Sequence, residues 1–438
     1  MTEKFNQDNS NKVKSGRNTK AELISLLEDF DKRFDTVNLQ KNVKFGAKDK
    51  DQDQFSIDAI LEFTDQSKEK WLIKTSSSYR SDRIKGNEFD IEHIKLIVKS
   101  PNIELKSFFV VPDTENNSSF EKYKKNVENH RIVTYFDKVL KFREFRHLIL
   151  DRCSKYLSQG TRSNVLGNDA EKEISDAFNN LNNINIWNQT GNNQVIKSKD
   201  FSIVQALMNK YYPDKKLKSM VAYDNDSDGN YYLDDLKTVK GPNNENLGKP
   251  KTDVLIKLTF TDDTTAQINL SVKHPKLKSK KVTAHEGSIE VLMDDLAASL
   301  PSYSIFNDSK KFDQLYKALK NFQDAGSAKN MNPEDKLFLA DNLSDINSWL
   351  IDYFLFGTNN RRFNNNQVAN TMAIINPQNG DLLYLTQEEE RQLLLDYCQL
   401  QKSTSSSFGT PFSWTYPSKK RGKKIQIKSP LPTFDSLK

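Results

Sequence analysis

An aspartate and a lysine in the middle of the chain have the types and spacing needed for metal-assisted chemistry. Asp253 precedes residues 254–260, in which apolar and polar residues alternate, and Lys273 follows a second alternating segment, residues 267–272. Turn-forming residues separate the two segments, so the pattern predicts a β-hairpin with the aspartate and the lysine close together on adjacent antiparallel strands. There a carboxylate can hold a divalent metal ion against a phosphate oxygen while an ammonium orients water, which suits hydrolysis of a phosphodiester.

The two segments also resemble a known active site. Residues 250–253 read Pro-Lys-Thr-Asp and residues 271–274 read Ser-Val-Lys-His. Together they resemble the core of type II restriction endonucleases of the PD-(D/E)xK kind, and specifically the MspI family, metal-dependent enzymes that cut double-stranded DNA at CCGG. Ser271 stands where that family has an asparagine, a difference that keeps a neutral oxygen but changes its reach.

Three further stretches carry the resemblance, which covers roughly residues 160–438. Before the hairpin, Glu171 and the apolar helical pattern after it are similar to the family's first helix, whose glutamate points toward the metal site. After the hairpin, the basic loop 279–283 with Glu286 is similar to the loop that follows the catalytic strand. The C-terminal matches follow the family's ending almost without a gap: residues 408–410, 414–416 and 423–428.

The resemblance implies a role for each residue of the candidate active site. Asp253 would bind Mg²⁺ together with a scissile phosphate oxygen and the backbone carbonyl of Val272. Glu171 would contribute, directly or through water, to that ion or to a second one. Lys273 would hold the nucleophilic water and stabilise the charge of the transition state. His274 would contact a phosphate or a metal ligand rather than act as the general base.

The resemblance also implies how DNA would be bound. In the family, base-reading residues lie in the basic loop and in the C-terminal tail. The DNA-binding residues that follow from this match are Thr283, Glu286, Thr415, Gln426 and Lys428, with Lys420 and Lys423 as phosphate contacts. In the major groove a lysine suits guanine O6 and N7, and a glutamine can use both ends of its amide.

Charge distribution supports this interpretation more than overall composition does. The 438 residues include 36% hydrophobic and 28% charged residues, and the formal net charge is only +6, which alone does not identify a nucleic-acid-binding protein. Basic residues cluster within residues 276–281 and 419–424, where they could neutralise phosphates and make the affinity for DNA fall with salt. A solvated basic surface is the alternative explanation of these clusters.

Cysteine usage and the N-terminal sequence favour a reducing compartment. Cys153 and Cys398 form no metal-binding or disulfide pattern and lie in apolar helical surroundings, so we expect buried reduced thiols. The polar and charged residues 1–20 lack the apolar core of a signal peptide, and no apolar run reaches the length of a membrane span. We therefore expect a cytoplasmic protein that does not bind a membrane.

The sequence predicts two folded domains. We expect residues 1–18 to be a disordered lead, residues 19–155 an additional N-terminal α/β domain, and residues 156–438 the catalytic and DNA-recognition domain. The expected fold class is α/β. In the second domain it takes the form of a PD-(D/E)xK restriction-endonuclease-like mixed β-sheet core flanked by helices.

A second strand pair is predicted in the N-terminal domain, at residues 56–63 and 70–75. Asp58 and Lys74 lie on these two strands in much the same way as Asp253 and Lys273 lie on the strands of the hairpin. Leu72, however, stands where a nuclease would have an acidic residue. The run after the second strand resembles a segment of other restriction endonucleases. The domain is therefore either a degenerate nuclease-like fold that binds DNA or packs without cutting, or a plain α/β accessory domain.

An acidic stretch has the spacing of a calcium-binding loop. Residues 224–229 with Asp235 match the carboxylate and glycine positions of an EF-hand. The last ligand is an aspartate where the motif has a bidentate glutamate, and no second loop follows. We therefore favour an acidic surface turn over a calcium site.

Two functions from different classes remain open. The first is a Mg²⁺-dependent type II restriction endonuclease whose partner is double-stranded DNA and whose functional counterpart is a cognate DNA methyltransferase, without direct contact. The second is a catalytically inactive, sequence-specific DNA-binding protein with a nuclease fold, which the serine at position 271 makes plausible. Retention of Asp253, Lys273 and Glu171 together favours the first, and the oligomeric state is left open.

Overall fold

The computed structural model divides the chain into two compact units. The residues described are 2–46, 54–113, 115, 117–157, 159–190, 200–225, 231–240, 246–275, 281–299, 309–376, 382–400, 406–417 and 420–432. Unit 1 comprises residues 1–166 with 194–201, and unit 2 comprises residues 167–193 with 202–438. Within the described ranges, no helix has both the length and the apolar character needed to cross a bilayer.

Unit 1 is built around one five-stranded sheet. Its helices and strands, in chain order, are α1 (Thr2–Arg33), β1 (Val37–Phe45), β2 (Phe55–Phe63), β3 (Glu69–Thr75), α2 (Ser81–Val98), β4 (Glu104–Val111), α3 (Ser118–Glu128), β5 (Lys138–Lys141) and α4 (Phe142–Ser154). The strand order is β1-β2-β3-β4-β5. The pairs β1–β2 and β2–β3 are antiparallel, whereas β3–β4 and β4–β5 are parallel. The predicted strand pair is therefore present as β2 and β3.

Both faces of this sheet are buried, which explains the continuous apolar runs in its strands. On β3, Trp71 packs into a hydrophobic cluster on one face and Leu72 into a cluster on the other. On β4, Phe108 and Phe109 divide between the faces in the same way. Successive side chains of a strand point to opposite faces, so a strand covered on both sides loses its polar alternation.

Helix α1 covers one of these faces. Leu23, Leu27 and Phe30 are each 0% exposed, as their helical spacing predicts. The helix is assigned from Thr2, and the disordered lead expected over residues 1–18 stays a prediction. No proline occurs in the helix, so its backbone hydrogen bonds can continue through the polar segment.

Unit 2 contains the larger set of elements, and α5 crosses its boundary with unit 1. In chain order they are α5 (Gln159–Asn179), α6 (Leu181–Thr190), α7 (Phe201–Tyr211), β6 (Leu217–Tyr223), β7 (Val239–Lys240), β8 (Asn246–Gly248), β9 (Val254–Phe260), β10 (Thr265–Lys273), β11 (Lys281–Gly287), α8 (Ile289–Ser299), α9 (Ser309–Ala325), α10 (Pro333–Leu343), α11 (Asn347–Ile351), β12 (Thr371–Ile375), β13 (Leu382–Thr386), α12 (Gln387–Leu400), β14 (Ser413–Thr415) and β15 (Ile425–Pro430). Short 3₁₀ and π-helical turns connect several of them.

The main sheet of unit 2 is mixed, as predicted. Its order is β13-β12-β10-β9-β6, in which β6, β9 and β10 are antiparallel and β12 runs parallel to β10. Unit 1 has the same arrangement in four strands, three antiparallel and then a parallel one, but its fifth strand is parallel whereas β13 is antiparallel. A second sheet in unit 2 has the order β11-β15-β14. The expected α/β class, with a mixed sheet flanked by helices, is confirmed.

Two smaller sequence expectations have different outcomes. Cys153 and Cys398 are both free cysteines, the first buried and the second half-buried, in agreement with the expected reduced thiols. The acidic stretch with EF-hand spacing includes residues 226–230, which lie outside the described residues. The choice between a calcium loop and a surface turn therefore remains a prediction.

Candidate active site

The predicted hairpin is formed by β9 and β10, with Asp253 immediately before β9. The antiparallel register pairs Val254 with Leu270, so Asp253 lies beside the residues that end β10. Its backbone N–H donates to the Leu270 carbonyl at 2.7 Å. One carboxylate oxygen accepts the Val272 N–H at 2.9 Å. The aspartate is thereby held against the strand that carries the predicted lysine.

Lys273 ends β10 within reach of this aspartate. Its Nζ atom is 3.8 Å from Asp253 Oδ2. The same ammonium donates to Ser271 Oγ at 2.7 Å and to the Val272 carbonyl at 3.3 Å. Ser271 is 0% exposed, so its hydroxyl is available only to groups inside the site. The structure thus brings the predicted aspartate, serine and lysine together.

Glu171 approaches the same point from α5. It is 7% exposed, and Asp253 is 8% exposed. The Nζ atom of Lys249 lies 3.9 Å from Glu171 Oε1 and 3.4 Å from Asp253 Oδ1. A single ammonium therefore interacts with both carboxylates, at a position that a divalent cation could occupy instead.

The donor atoms gathered here fit a magnesium ion. They are the carboxylates of Asp253 and Glu171, the Val272 carbonyl and the Ser271 hydroxyl, all of them oxygens. Mg²⁺ prefers oxygen ligands, takes one or two carboxylates and keeps several waters. In the part of the chain that the structure describes, no three His, Cys, Asp or Glu side chains gather into a metal-binding group. A metal ion at this site would therefore depend on two carboxylates, the two neutral oxygens and water.

Burial sets the protonation of the charged groups. Removal of the Glu171 carboxyl from water, together with the charge of Asp253, raises the pKa of Glu171 to about 8. The Asp253 carboxylate raises the pKa of Lys249. Desolvation of the Lys251 amine, together with the nearby Lys273 ammonium, lowers the pKa of Lys251 to about 7. Without a metal ion, Glu171 therefore holds a proton at neutral pH, and a cation that binds its carboxylate must displace that proton.

His274 follows directly after β10. Burial lowers the pKa of its imidazole, so the ring is neutral at pH 7. A neutral imidazole can accept or donate a hydrogen bond but does not attract a phosphate by charge. The contact to a phosphate or metal ligand that the resemblance implies would therefore rest on hydrogen bonding alone.

The sheet formed by β11, β15 and β14 gathers the residues predicted to contact bases. Across the strands they form two rows, with Thr283, Lys428 and Ser413 in one, and Glu286, Gln426 and Thr415 in the other. All six side chains are exposed or half-exposed. The residues that alternate with them pack into the core: Val282, Ala284, Ile425, Ile427 and Trp414. One face of this sheet is therefore polar, and we call it the recognition face.

Several polar side chains on or near the recognition face have partners within the protein. The Thr415 hydroxyl donates to the Gln426 carbonyl at 3.0 Å. Lys420 Nζ lies 3.5 Å from Glu286 Oε1. Lys423 is exposed. Residues 279 and 280 of the basic loop, and residues 276–278 before it, lie outside the described residues.

The sequence assigned no role to two lysines that flank Pro250. The structure places Lys249 beside both carboxylates and the Lys251 Nζ atom 2.6 Å from the Ala284 carbonyl. The signal available in the sequence is the density of positive charge just before Asp253. That density predicts an ion pair but does not identify which lysine forms it, because the answer depends on the path of the backbone.

An aspartate and a lysine on adjacent strands of a mixed sheet, faced by a buried glutamate from a preceding helix, define a nuclease of the restriction-endonuclease type. A family model described as restriction endonuclease MspI matches residues 145–429. The chain belongs to this family, whose members are type II restriction enzymes, that is, site-specific DNA endonucleases.

Known restriction enzymes are similar to this chain over different parts of its length. The type II restriction enzyme BsuFI of Bacillus subtilis is 32% identical over 437 residues, covering 97% of this chain and 99% of that enzyme. The type II restriction enzyme MspI of Moraxella sp is 26% identical over 287 residues, covering 62% of this chain and 92% of that enzyme. A crystal structure of MspI in complex with its cognate DNA matches with a TM-score of 0.44 and 19% identity, over 66% of this chain and 97% of that one.

Proposed function

We propose that this restriction endonuclease depends on Mg²⁺ and cleaves double-stranded DNA at CCGG or a closely related sequence. The observation that carries the proposal is the convergence of Asp253, Glu171 and Lys273 at one end of β10. A protein that only bound DNA would have no need to keep two buried carboxylates beside a lysine, since buried charges destabilise a fold unless they are paired. The recognition sequence follows from the resemblance of the C-terminal strands to the family.

The acidic and basic residues of the site have different catalytic roles. Asp253 and Glu171, with the Val272 carbonyl, would hold Mg²⁺, which when bound supplies Lewis acidity and lowers the pKa of a coordinated water. Lys273 donates a hydrogen bond to the attacking water and stabilises the charge that develops on the phosphate. Ser271 accepts a hydrogen bond from that ammonium and so orients it.

Specificity is assigned to the recognition face. A narrow β-ribbon fits the major groove, where each base pair presents a distinct set of donors and acceptors. Lys428 suits a guanine edge, Gln426 can use both ends of its amide, and Thr283, Glu286 and Thr415 complete the set. Lys420 and Lys423 serve as phosphate contacts, which set orientation and overall affinity rather than sequence. His274 contacts a phosphate or a metal ligand.

This function implies a cellular setting. An enzyme that cuts a short sequence endangers the DNA of its own cell, so it requires a cognate methyltransferase that protects the same sequence. No contact between the two proteins is needed, because protection acts through the DNA. Both proteins would work where the DNA is, in the cytoplasm.

We also propose that residues 19–155 form a degenerate nuclease-like domain beside a catalytic and recognition domain at 156–438. Lys20 Nζ lies 2.6 Å from Asp58, so an ammonium neutralises the carboxylate that a metal ion would need. Lys74 pairs with Asp90 at 2.6 Å. Leu72 is fully buried where an acidic ligand would stand. These contacts support a domain that has a nuclease-like fold but no catalytic activity.

The test is direct. Purified protein is incubated with plasmid DNA with and without Mg²⁺, and the ends of the products are sequenced. We expect Mg²⁺-dependent cuts at one short sequence and none with the Asp253→Ala protein. Specific binding without any cut, at several Mg²⁺ concentrations, would favour the inactive DNA-binding alternative.

A further inference from the structure

The strand β11 contains an irregularity on the recognition face. Its register with β15 shifts between Thr283, which pairs with Lys428, and His285, which pairs with Ile427. Ala284 therefore has no pairing partner on β15 and forms a β-bulge. A bulge of this kind inserts one extra residue into a strand and redirects the side chains that follow it.

The bulge decides which side chains reach the recognition face. Thr283 and Glu286 are three residues apart, so in a regular strand they would point to opposite faces. Both are exposed and pair with Lys428 and Gln426, which are two residues apart on β15. Only the extra residue at Ala284 allows both pairs to share one face.

Lys251 holds this bulge. Its Nζ atom donates to the Ala284 carbonyl at 2.6 Å, which is short for a hydrogen bond from a nitrogen donor. Its backbone N–H donates to the Gln367 carbonyl at 2.9 Å, which fixes the other end of the residue. Its side-chain stem is confined as well, because a Cβ at Gly357 would lie 2.9 Å from Lys251 Cγ.

The same residue lies two positions before Asp253. The intervening Thr252 also donates its N–H to the Gln367 carbonyl, at 3.3 Å, and Asp253 donates its own to Leu270 at 2.7 Å. A short, hydrogen-bonded segment thus runs from the bulge to the metal-binding carboxylate. A shift of β11 on binding DNA would be passed to Asp253 through it.

We propose that Lys251 is a positioning residue that couples the recognition face to Asp253, so that correct base contacts favour the cleaving geometry. This inference rests on the proposed function. It assigns Lys251 no contact with DNA and no proton transfer. Its role is to hold the Ala284 carbonyl and thereby to connect two segments of unit 2.

The test compares Lys251→Met, which keeps the stem and removes the Nζ donor, with Lys257→Met as a matched control. Lys257 lies on β9, is exposed and has no place in the proposed machinery. Single-turnover cleavage is measured at saturating Mg²⁺ on CCGG duplexes and on duplexes with one base changed. For Lys251→Met we expect a rate on CCGG at least about tenfold lower, a smaller ratio between the two duplexes, and unchanged affinity for nonspecific DNA. Lys257→Met should match the wild type.

Two further measurements separate coupling from a merely structural role. Amide hydrogen exchange should accelerate in β11 of Lys251→Met but not in β10, and Lys251→Arg, which keeps an N–H donor, should recover most of the rate ratio. An unchanged ratio in a folded Lys251→Met protein would overturn the coupling while leaving the nuclease proposal intact. Uniformly weaker binding to all DNA, with an unchanged ratio, would make Lys251 a phosphate contact instead. A wild-type protein that cuts no DNA would overturn both.

Discussion

At the scale of single residues, the candidate site holds two carboxylates close together by distributing charge around them. Asp253 accepts the Val272 N–H and has two lysines nearby, Lys249 at 3.4 Å and Lys273 at 3.8 Å. Glu171 is buried to a similar extent and holds a proton instead. The alternation of the hairpin predicted Asp253 and Lys273, but the position of Lys249 depends on backbone geometry that no spacing rule contains.

Removal of the charged groups should stop cleavage without preventing DNA binding. We expect Asp253→Ala and Lys273→Ala to lower the single-turnover rate by at least about a hundredfold, because each loses a group that acts on the reacting phosphate. Binding to a CCGG duplex should remain close to wild type, since the residues proposed to contact bases lie on a different sheet. Chelation of the metal by EDTA should have the same effect on cleavage. A fully active Asp253→Ala protein would sink the assignment.

The raised pKa of Glu171 predicts how the metal requirement varies with pH. Below about pH 8 the carboxyl is protonated and neutral, so Mg²⁺ must displace a proton, and its affinity rises as the pH rises. The Mg²⁺ concentration that gives half-maximal cleavage should fall about tenfold per pH unit from pH 6.5 to 7.5, and level off above pH 8. Glu171→Gln, which carries no such proton, should lose this dependence. A requirement that is constant with pH in the wild type would contradict the prediction.

At the scale of elements, the sequence predicts the pairing of neighbouring strands but not the pairing of strands far apart in the chain. The β9–β10 hairpin follows from alternation around a turn, because both strands and their connection are adjacent in sequence. The recognition face joins β11 to strands more than 120 residues later, and its bulge at Ala284 appears only once the register with β15 is known. The residues of this face could be proposed from family resemblance, but not their common orientation.

The recognition face should separate base contacts from phosphate contacts. Lys428→Ala should lose discrimination at one guanine, roughly 1–3 kcal/mol if the contact is bidentate. Lys423→Ala should weaken binding to all duplexes equally and lower the salt slope by about 1. Lys423 is the better control than Lys420, which lies near Glu286 and would disturb the recognition face. Competition binding of CCGG against single-base variants at two salt concentrations measures both effects. A changed ranking for Lys423→Ala but not for Lys428→Ala would reverse the assignment.

At the scale of the whole molecule, the sheets of the two units share the arrangement of four strands but differ in the charges near the aspartate. In unit 2 an acidic side chain from α5 faces the aspartate of the hairpin. In unit 1 the helix α1 presents Lys20 to Asp58 at 2.6 Å. In both units the aspartate also accepts a backbone N–H from the neighbouring strand, from Thr75 at 2.8 Å and from Val272 at 2.9 Å. The sequence predicted both strand pairs, but only the structure identifies the lysine that neutralises the first.

This difference predicts that cleavage is insensitive to the charges of unit 1. Asp58→Asn and Lys74→Met should cut DNA at wild-type rates, whereas Asp253→Asn should not. Lys74→Met should lower the free energy of unfolding, because it leaves Asp90 without its 2.6 Å partner. Rates measured on folded protein, with denaturation curves recorded in parallel, keep stability apart from catalysis. If both unit 1 variants remained folded and yet failed to cut, the charges of that unit would belong to the catalytic machinery, because the loss could then not be attributed to unfolding.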